Sequence, residues 1–323
     1  MKVSVIIPST GNRFDFLQRA IKSCIFSSKN IQIEIIVVIN GGNGKDFDFD
    51  STIKSNFIHY YYLEEGNVSL ARNYGVKKSS GDLIRFLDDD DYLYTDISYR
   101  QYLDFYENEN LDISMCNFDI VDDLKNVFKT PCINEVEDFV SYALDPLISL
   151  PFCFVYRANI IRNIQWDNDV KIPEDEDFLR RIAKKGGGNF KIRNEKVGVW
   201  YQHNGERLSL SLVNNEYYFN KFNSIKDLYI KIDDSSYSLF AAQGMWKCIH
   251  GGFYLSPIYW TQIALYARKL DAASKPQEIF FHKLPDFIHP IVVEWLMLPK
   301  RWLTHQLRIL RKKLGLISYI RKL

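Results

Sequence analysis

Short β-branched runs and helical stretches take turns through the first ninety or so residues, and that alternation leaves few folds open. Val3-Ser4-Val5-Ile6-Ile7 reads as a buried strand ended by Pro8. Gly11-Asn12-Arg13 is a turn, and DFLQRAIKSCIFS, from Asp15, has helical spacing at Phe16, Ala20 and Cys24. IEIIVVIN (33–40) is a second strand, stopped by Gly41-Gly42-Asn43-Gly44, and FIHYYYL (57–63) is a third. NVSLARNYGVKKSSG (67–81) reads as a short helix closed by Gly81, and DLIRFL (82–87) as a fourth strand. Strands and helices in turn imply an α/β fold with a mostly parallel sheet and helices on both faces. Such sheets bind ligands at the carboxyl ends of their strands, so the loops after Ile7, Ile39 and Leu87 form the candidate site.

Further along, LDISMCNFDIVDD has a strand pattern, IPEDEDFLRRIAKKGG (172–187) is a loop entering a helix, and NFKIRNEKVGVWYQH (189–203) is strand-like and aromatic. Asn215 to about Lys275 is mainly helical. The 323 residues, 46% hydrophobic, supply core for a large domain with an extension. Their expected division is an α/β domain over 1–214, a helical extension over 215–284 and a basic tail over 285–323. The five cysteines are odd in number and form no C-x-x-C pair, which argues against a disulfide framework or a zinc site and for a reducing compartment. The N-terminal apolar run is a strand, too short for a signal peptide, and no run reaches the length of a spanning helix.

The fourth strand runs into FLDDDDYL (86–93), four carboxylates in a row. Two unit charges about 5 Å apart repel by roughly 3 kcal/mol at an effective dielectric near 20. A chain keeps them together if they reach water or if a cation meets them. A second acidic group, Glu174-Asp175-Glu176-Asp177, stands where a helix should begin, a place its dipole favours for acids on its own account.

VSVIIPSTGNR, EIIVVINGG, GNVSLARNYGVKKSSGDLIRFLDDDD and PEDEDFLRRIAKKG follow one another in this order. Together they resemble the family 2 glycosyltransferases, over roughly residues 1–210. The resemblance implies the GT-A nucleotide-sugar-binding fold, Rossmann-like, and inverting transfer of a sugar from a nucleotide-diphosphate donor with the help of Mn²⁺ or Mg²⁺. The family's Asp-any-Asp signature falls on Asp88 to Asp90: Asp90 would be the direct metal ligand, Asp88 would face the donor's ribose or the metal shell, and Asp89 would lie with the donor. Hard carboxylate oxygens suit such an ion, which would also grip the donor's phosphates. Asp91 has two readings, a site residue or a cap for the following helix. The family's Glu-Asp-any-Asp stretch falls on Glu174-Asp175, with Asp175 as the base that deprotonates the acceptor hydroxyl and Glu174 beside the acceptor.

Pro8, Ser9 and Thr10 border the loop after the first strand and are expected at the donor; the same resemblance places Arg72 near the diphosphate, with Asn73 and Gly75 shaping that turn. Asn40 stands where acids that contact the nucleobase are frequent, and its amide and carbonyl can still meet a base edge; a UDP-sugar is the default donor. In WYQHNGERLS (200–209), His203 would contact the metal or diphosphate, and Trp200 and Tyr201 would stack on an acceptor sugar.

The tail carries eight Lys/Arg and no acid from Trp295 to Leu323, while the net charge of the whole is +1. Leu303, Leu307, Leu310, Leu314 and Ile317 fall on one helical face, with Arg301, Arg308 and Lys312 on another. Such a helix, flanked by Trp295 and Trp302, reads as lying on an anionic bilayer surface. A partner helix is the alternative. The expected protein is thus a cytoplasmic glycosyltransferase, peripheral on the inner face of the membrane, acting on a saccharide acceptor that is lipid-linked, in surface polysaccharide synthesis. Nucleic acid is not an expected partner, and a homo-oligomer stays open. A rival nucleotidyl or phosphoryl transferase would want a G-x-x-x-x-G-K-[ST] loop, which does not occur. A non-catalytic membrane-surface protein of the same fold would have no need of Asp88, Asp90 and Asp175 together.

Overall fold

A computed structural model describes residues 1–42, 47–48, 52–130, 132–133, 136–170, 172–203, 215–283, 285 and 287–313. Two compact units divide the chain, residues 1–139 with 147–203, and residues 140–146 with 204–323.

The first unit opens with β1 (Lys2–Ser9), α1 (Phe14–Ser23), β2 (Gln32–Asn40), β3 (Ile58–Leu63), α2 (Val68–Lys78) and β4 (Leu83–Phe86). It continues through β5 (Tyr92–Leu93), α3 (Thr95–Glu107), β6 (Ile113–Asp122) and β7 (Val127–Phe128). The helix α4 (Phe139–Leu144) comes next in the chain but past Phe139 belongs to the second unit; the first unit resumes with β8 (Phe154–Arg157), α5 (Ala158–Ile161), α6 (Glu174–Ala183) and β9 (Phe190–Gln202). The sheet order is β3-β2-β1-β4-β8-β6-β9-β5, with β7 on β6. The four strands read from the first third of the sequence pair in parallel. Beyond them the sheet is mixed: β8 runs antiparallel to β4 and β6, while β9 runs parallel to β6 and antiparallel to β5. Val3, Val5, Ile6 and Ile7 of β1 and Ile35 to Ile39 of β2 are buried, as continuous apolar strands covered on both faces should be.

Asn67 caps α2, its side chain accepting from the Leu70 N–H at 3.1 Å. Asn73 and Gly75 lie inside this helix and do not form a turn. A Cβ on Gly75 would stand 2.3 Å from Ile6 Cγ2, so glycine lets the helix backbone press onto β1. Asn73 accepts from the Trp166 N–H (2.8 Å) and donates to its carbonyl (2.9 Å). Arg72, three residues before Gly75, is thereby carried on the inward side of α2. The second acidic group begins α6 as expected, and Gly186 follows that helix at φ +100°.

The second unit is helical: α7 (Asn215–Ile232), α8 (Ser238–Gly252), α9 (Pro257–Leu270), α10 (Ile279–His282) and α11 (Pro290–Lys313). Trp246 and Trp260 are its largest buried side chains. In α11 the apolar stripe is on the outside: Leu303, Leu307 and Leu310 are 54%, 45% and 51% exposed, and Val292, Leu296 and Trp302 continue it. Leu314 and Ile317 lie outside the described residues. Arg301 departs from the basic face expected of it. Its guanidinium donates at 2.6 Å to Glu294, a fully buried carboxylate that also lies 2.5 Å from His250 Nδ1, and to the His250 carbonyl. A buried carboxylate requires such partners, so Arg301 ties α11 to α8.

Candidate active site

At the carboxyl ends of β1, β2 and β4 the chain turns, and the residues expected at the donor meet there. Pro8 and Ser9 end β1 and Asn40 ends β2, all buried; Thr10 is exposed. The Asn40 side-chain amide donates to the Ser9 carbonyl at 3.0 Å, locking one strand end to the next. The Ser9 hydroxyl accepts from the Gly11 N–H (3.0 Å) and donates to Asp89 Oδ2 (2.5 Å).

The four aspartates after β4 are sent in different directions, which resolves their crowding. Asp88, one-third exposed, accepts from Arg72 Nη2 at 2.8 Å. Asp89 is turned inward and buried, with Arg13 Nη2 2.5 Å from Oδ1. Burial, opposed by Arg13 and reinforced by Asp90, pushes the Asp89 carboxyl up to about 7. Asp90 Oδ2 takes Arg13 Nη1 at 2.6 Å and faces His203 Nε2 at 3.0 Å. Asp91 does not cap α3; its side chain accepts from the Tyr201 N–H at 2.9 Å and fastens the loop to β9.

Arg72 is the hub. Only 1% exposed, it donates to Asp88 with one nitrogen and to Asp175 Oδ1 (3.1 Å) with the other, and Glu174 lies 3.6 Å from that second nitrogen. Its guanidinium stacks 4.2 Å from the ring centroid of Trp166, itself stacked on Phe178 at 4.1 Å. Burial, then the neighbouring charge of Glu174, holds the Asp175 carboxyl well above the ordinary range, with Arg72 opposing. Burial likewise raises Glu174. The next two acids of α6 serve the helix: Glu176 pairs with Arg180 (2.7 Å) and Asp177 with Arg181 (2.6 Å).

The aromatic segment of β9 divides. Alternation along a strand places Tyr201 and Trp200 on opposite faces. Tyr201 comes to the aspartate side, where Arg19 lies 4.1 Å from its ring centroid and its hydroxyl donates to Asp123 at 3.0 Å. Trp200 comes near Phe118, with centroids 6.4 Å apart. His203 is buried beside Asp90 and Phe16. Residues 204–209 of that segment lie outside the described residues.

Three residues of this site have no counterpart in the sequence reading. Arg13 ends the VSVIIPSTGNR motif as a turn residue with no role of its own, Arg19 is only a helix residue there, and Trp166 stands in no motif. Arg19 donates to the Asp90 carbonyl (2.6 Å) and sits over Tyr92 as well as Tyr201.

Among the described residues no three His, Cys, Asp or Glu side chains are grouped to hold a metal. Asp90 Oδ2 and His203 Nε2 nevertheless converge, one hard oxygen and one imidazole nitrogen. The two could supply two ligands to a Mn²⁺ or Mg²⁺ ion, the carboxylate oxygen being the hard donor such ions take.

The sequence profile of "Glycosyl transferase family 2" matches residues 4–165, half of the chain. The chain belongs to glycosyl transferase family 2. The family match takes in β1 to β8 and both Arg72 and the four aspartates. The minor teichoic acid biosynthesis protein GgaB of Bacillus subtilis (strain 168) is 25% identical over 230 residues, 67% of this chain and 25% of that protein. An uncharacterised glycosyltransferase of Rickettsia bellii (strain RML369-C) is 35% identical over 124 residues, 38% of this chain and 17% of that protein. The chain therefore spans well under two thirds of either relative's length. Among solved structures, S. aureus TarS residues 1–349 in complex with UDP-GlcNAc superposes with a TM-score of 0.59 at 16% identity, covering 84% of this chain and 81% of that one. At that identity the likeness speaks for the fold, which is of the GT-A type.

Proposed function

We propose that this family 2 member is an inverting glycosyltransferase that moves a sugar from a nucleotide-diphosphate donor, a UDP-sugar first, to a hydroxyl of a saccharide acceptor. The observation that carries the reading is Arg72, buried between Asp88 on the donor loop and Asp175 at the head of α6. One guanidinium thus fixes the distance between the group that would hold the donor and the group that would take the acceptor's proton. Asp175 accepts the proton as the acceptor oxygen attacks the sugar's C1. The bond from C1 to the phosphate oxygen breaks on the opposite face, and the nucleoside diphosphate departs with the electron pair. A carboxylate whose proton affinity is raised by burial and by Glu174 is better matched to this task than an ordinary one.

Asp90 and His203 would hold Mn²⁺ or Mg²⁺, which supplies charge to offset the departing diphosphate. Pro8, Ser9, Thr10, Asn40 and Asp88 would line the donor side, with Asp89, turned inward, behind them. Glu174 and Tyr201 would line the acceptor side, while the position of Trp200 across the strand separates it from them. TarS bound to UDP-GlcNAc supports a uridine donor, and GgaB supports a surface polymer as the product's destination.

The outward apolar stripe of α11 supports docking on the inner face of the membrane, where a lipid-linked acceptor would be met. No described helix is long and apolar enough to cross a bilayer. Thermal melts of the full chain with a panel of nucleotide-sugars, with and without Mn²⁺, test the donor assignment. A ligand at 100 times its Kd should stabilise by about 2.7 kcal/mol. Stabilisation by UDP-sugars only when Mn²⁺ is present is the expected result, and indifference to every nucleotide-sugar would overturn the reading.

A further inference from the structure

Arg13 sits against the two side chains that would hold a divalent ion. Its Nη1 is 2.6 Å from Asp90 Oδ2 and 3.2 Å from His203 Nε2, and those two atoms are 3.0 Å from each other. Its other terminal nitrogen is 2.5 Å from Asp89, which is 1% exposed, against 17% for the Asp90 side chain. The guanidinium therefore has a buried end and an accessible end. A metal and Nη1 cannot both sit on the Asp90 oxygen and the imidazole nitrogen that face each other here. Planar and always charged, the guanidinium can keep one nitrogen on Asp89 while the other changes partner.

The geometry points to Arg13 as a resident counter-cation of Asp90 that a divalent ion displaces when the donor arrives, with Asp89 as its fixed anchor. This rests on the metal reading of Asp90 and His203. Before the donor binds, Asp89 and Asp90 share Arg13 as their cation, so a free ion must compete with a charge already in place. A donor diphosphate brings further negative charge, which gives the released nitrogen of Arg13 a new acceptor. Metal uptake and donor binding are then coupled through one side chain, and by linkage each tightens the other by the same factor.

Mn²⁺ binding to the full chain, followed by electron paramagnetic resonance with and without UDP, tests this without any turnover. Arg13→Gln should bind Mn²⁺ about tenfold more tightly than wild type in the absence of UDP, and UDP should enhance its Mn²⁺ affinity less than it does for wild type. Arg13→Lys, whose single ammonium cannot span both carboxylates, should fall between the two; it keeps the test available if glutamine does not fold, which a melt of each variant reports. If wild type binds Mn²⁺ with UDP but neither variant binds it more tightly without UDP, the exchange is refuted and the metal reading stands. If no protein binds Mn²⁺ under either condition, the metal reading itself is refuted.

Discussion

The two ends of the parallel half-sheet treat buried carboxylates in opposite ways. At the amino ends, Glu34 of β2 is 5% exposed and fully partnered. It takes Lys2 Nζ (2.7 Å), the Ser4 hydroxyl (2.5 Å), and the Ser80 N–H (2.9 Å) and hydroxyl (2.7 Å). Burial would raise its pKa, yet these bonds outweigh it and hold the group at about 2. At the carboxyl ends, Asp89 is buried against Arg13, while Glu174 and Asp175, with side chains 15% and 23% exposed, share Arg72, and all three are pushed up. Carboxylates that are fully satisfied hold strands together. Carboxylates whose desolvation and mutual repulsion outweigh their partners are poised to take a proton, a cation or a substrate, and this strain is tolerated where function needs it.

Arg72 gives the largest expected break in this contrast. Arg72→Met leaves Asp88, Glu174 and Asp175 without their shared cation and should cost about 3–5 kcal/mol of stability, as removal of one partner from a buried pair does. Activity should be lost with it, and Arg72→Lys should not restore activity, because one ammonium cannot reach both Asp88 and Asp175. Urea unfolding and sugar-transfer assays of both variants check this. Glu34→Gln comes next. A shift from the usual 4.5 to about 2 corresponds to roughly 3 kcal/mol, reduced to about 2 kcal/mol once screening is allowed for. That loss should appear in unfolding with turnover unchanged.

The two ends should also respond to pH with opposite sign. Glu34, depressed in the folded state, contributes stability that is complete above its ordinary value and is lost as pH falls toward 2. Asp175, raised in the folded state, carries no penalty below its ordinary value and costs stability as pH rises through the raised one. Turnover follows the ionised base, so it should decline on acidification at a pH well above that of an ordinary aspartate. Stability curves of Glu34→Gln and Asp175→Asn against pH, set beside a pH–rate profile, separate these trends. The smallest effect is expected at Asp91→Asn. The amide oxygen still accepts from the Tyr201 N–H, so the change should stay near about 0.5–1 kcal/mol with little loss of rate.

How much of this was legible in the sequence depended on range. The parallel strands announced themselves through local β-branched runs, and the two acidic clusters through position, one after a buried strand and one at a helix start. The resemblance to family 2 supplied the roles. The partners of these acids were hidden because they come from afar: Arg72 meets Asp175 across 103 residues, and Arg13 meets Asp90 across 77. Helical periodicity found the outward leucines of α11, since an apolar stripe is a local pattern. It misassigned Arg301 because His250, whose carbonyl that side chain reaches, lies 51 residues earlier. Asp91 and Tyr201 likewise meet through pairing of β5 with β9, which no local pattern reveals.

The most direct measurement is sugar transfer by Asp175→Asn, made alongside its affinity for UDP in the presence of Mn²⁺. Asparagine keeps the shape and the contact with Arg72 but cannot take the acceptor's proton, so turnover should fall by about 10²–10⁴-fold with UDP affinity within a few-fold of wild type. Wild-type turnover in this variant, with donor binding equally intact, would contradict the assignment of Asp175 and of the carboxyl-end cluster as the seat of the chemistry.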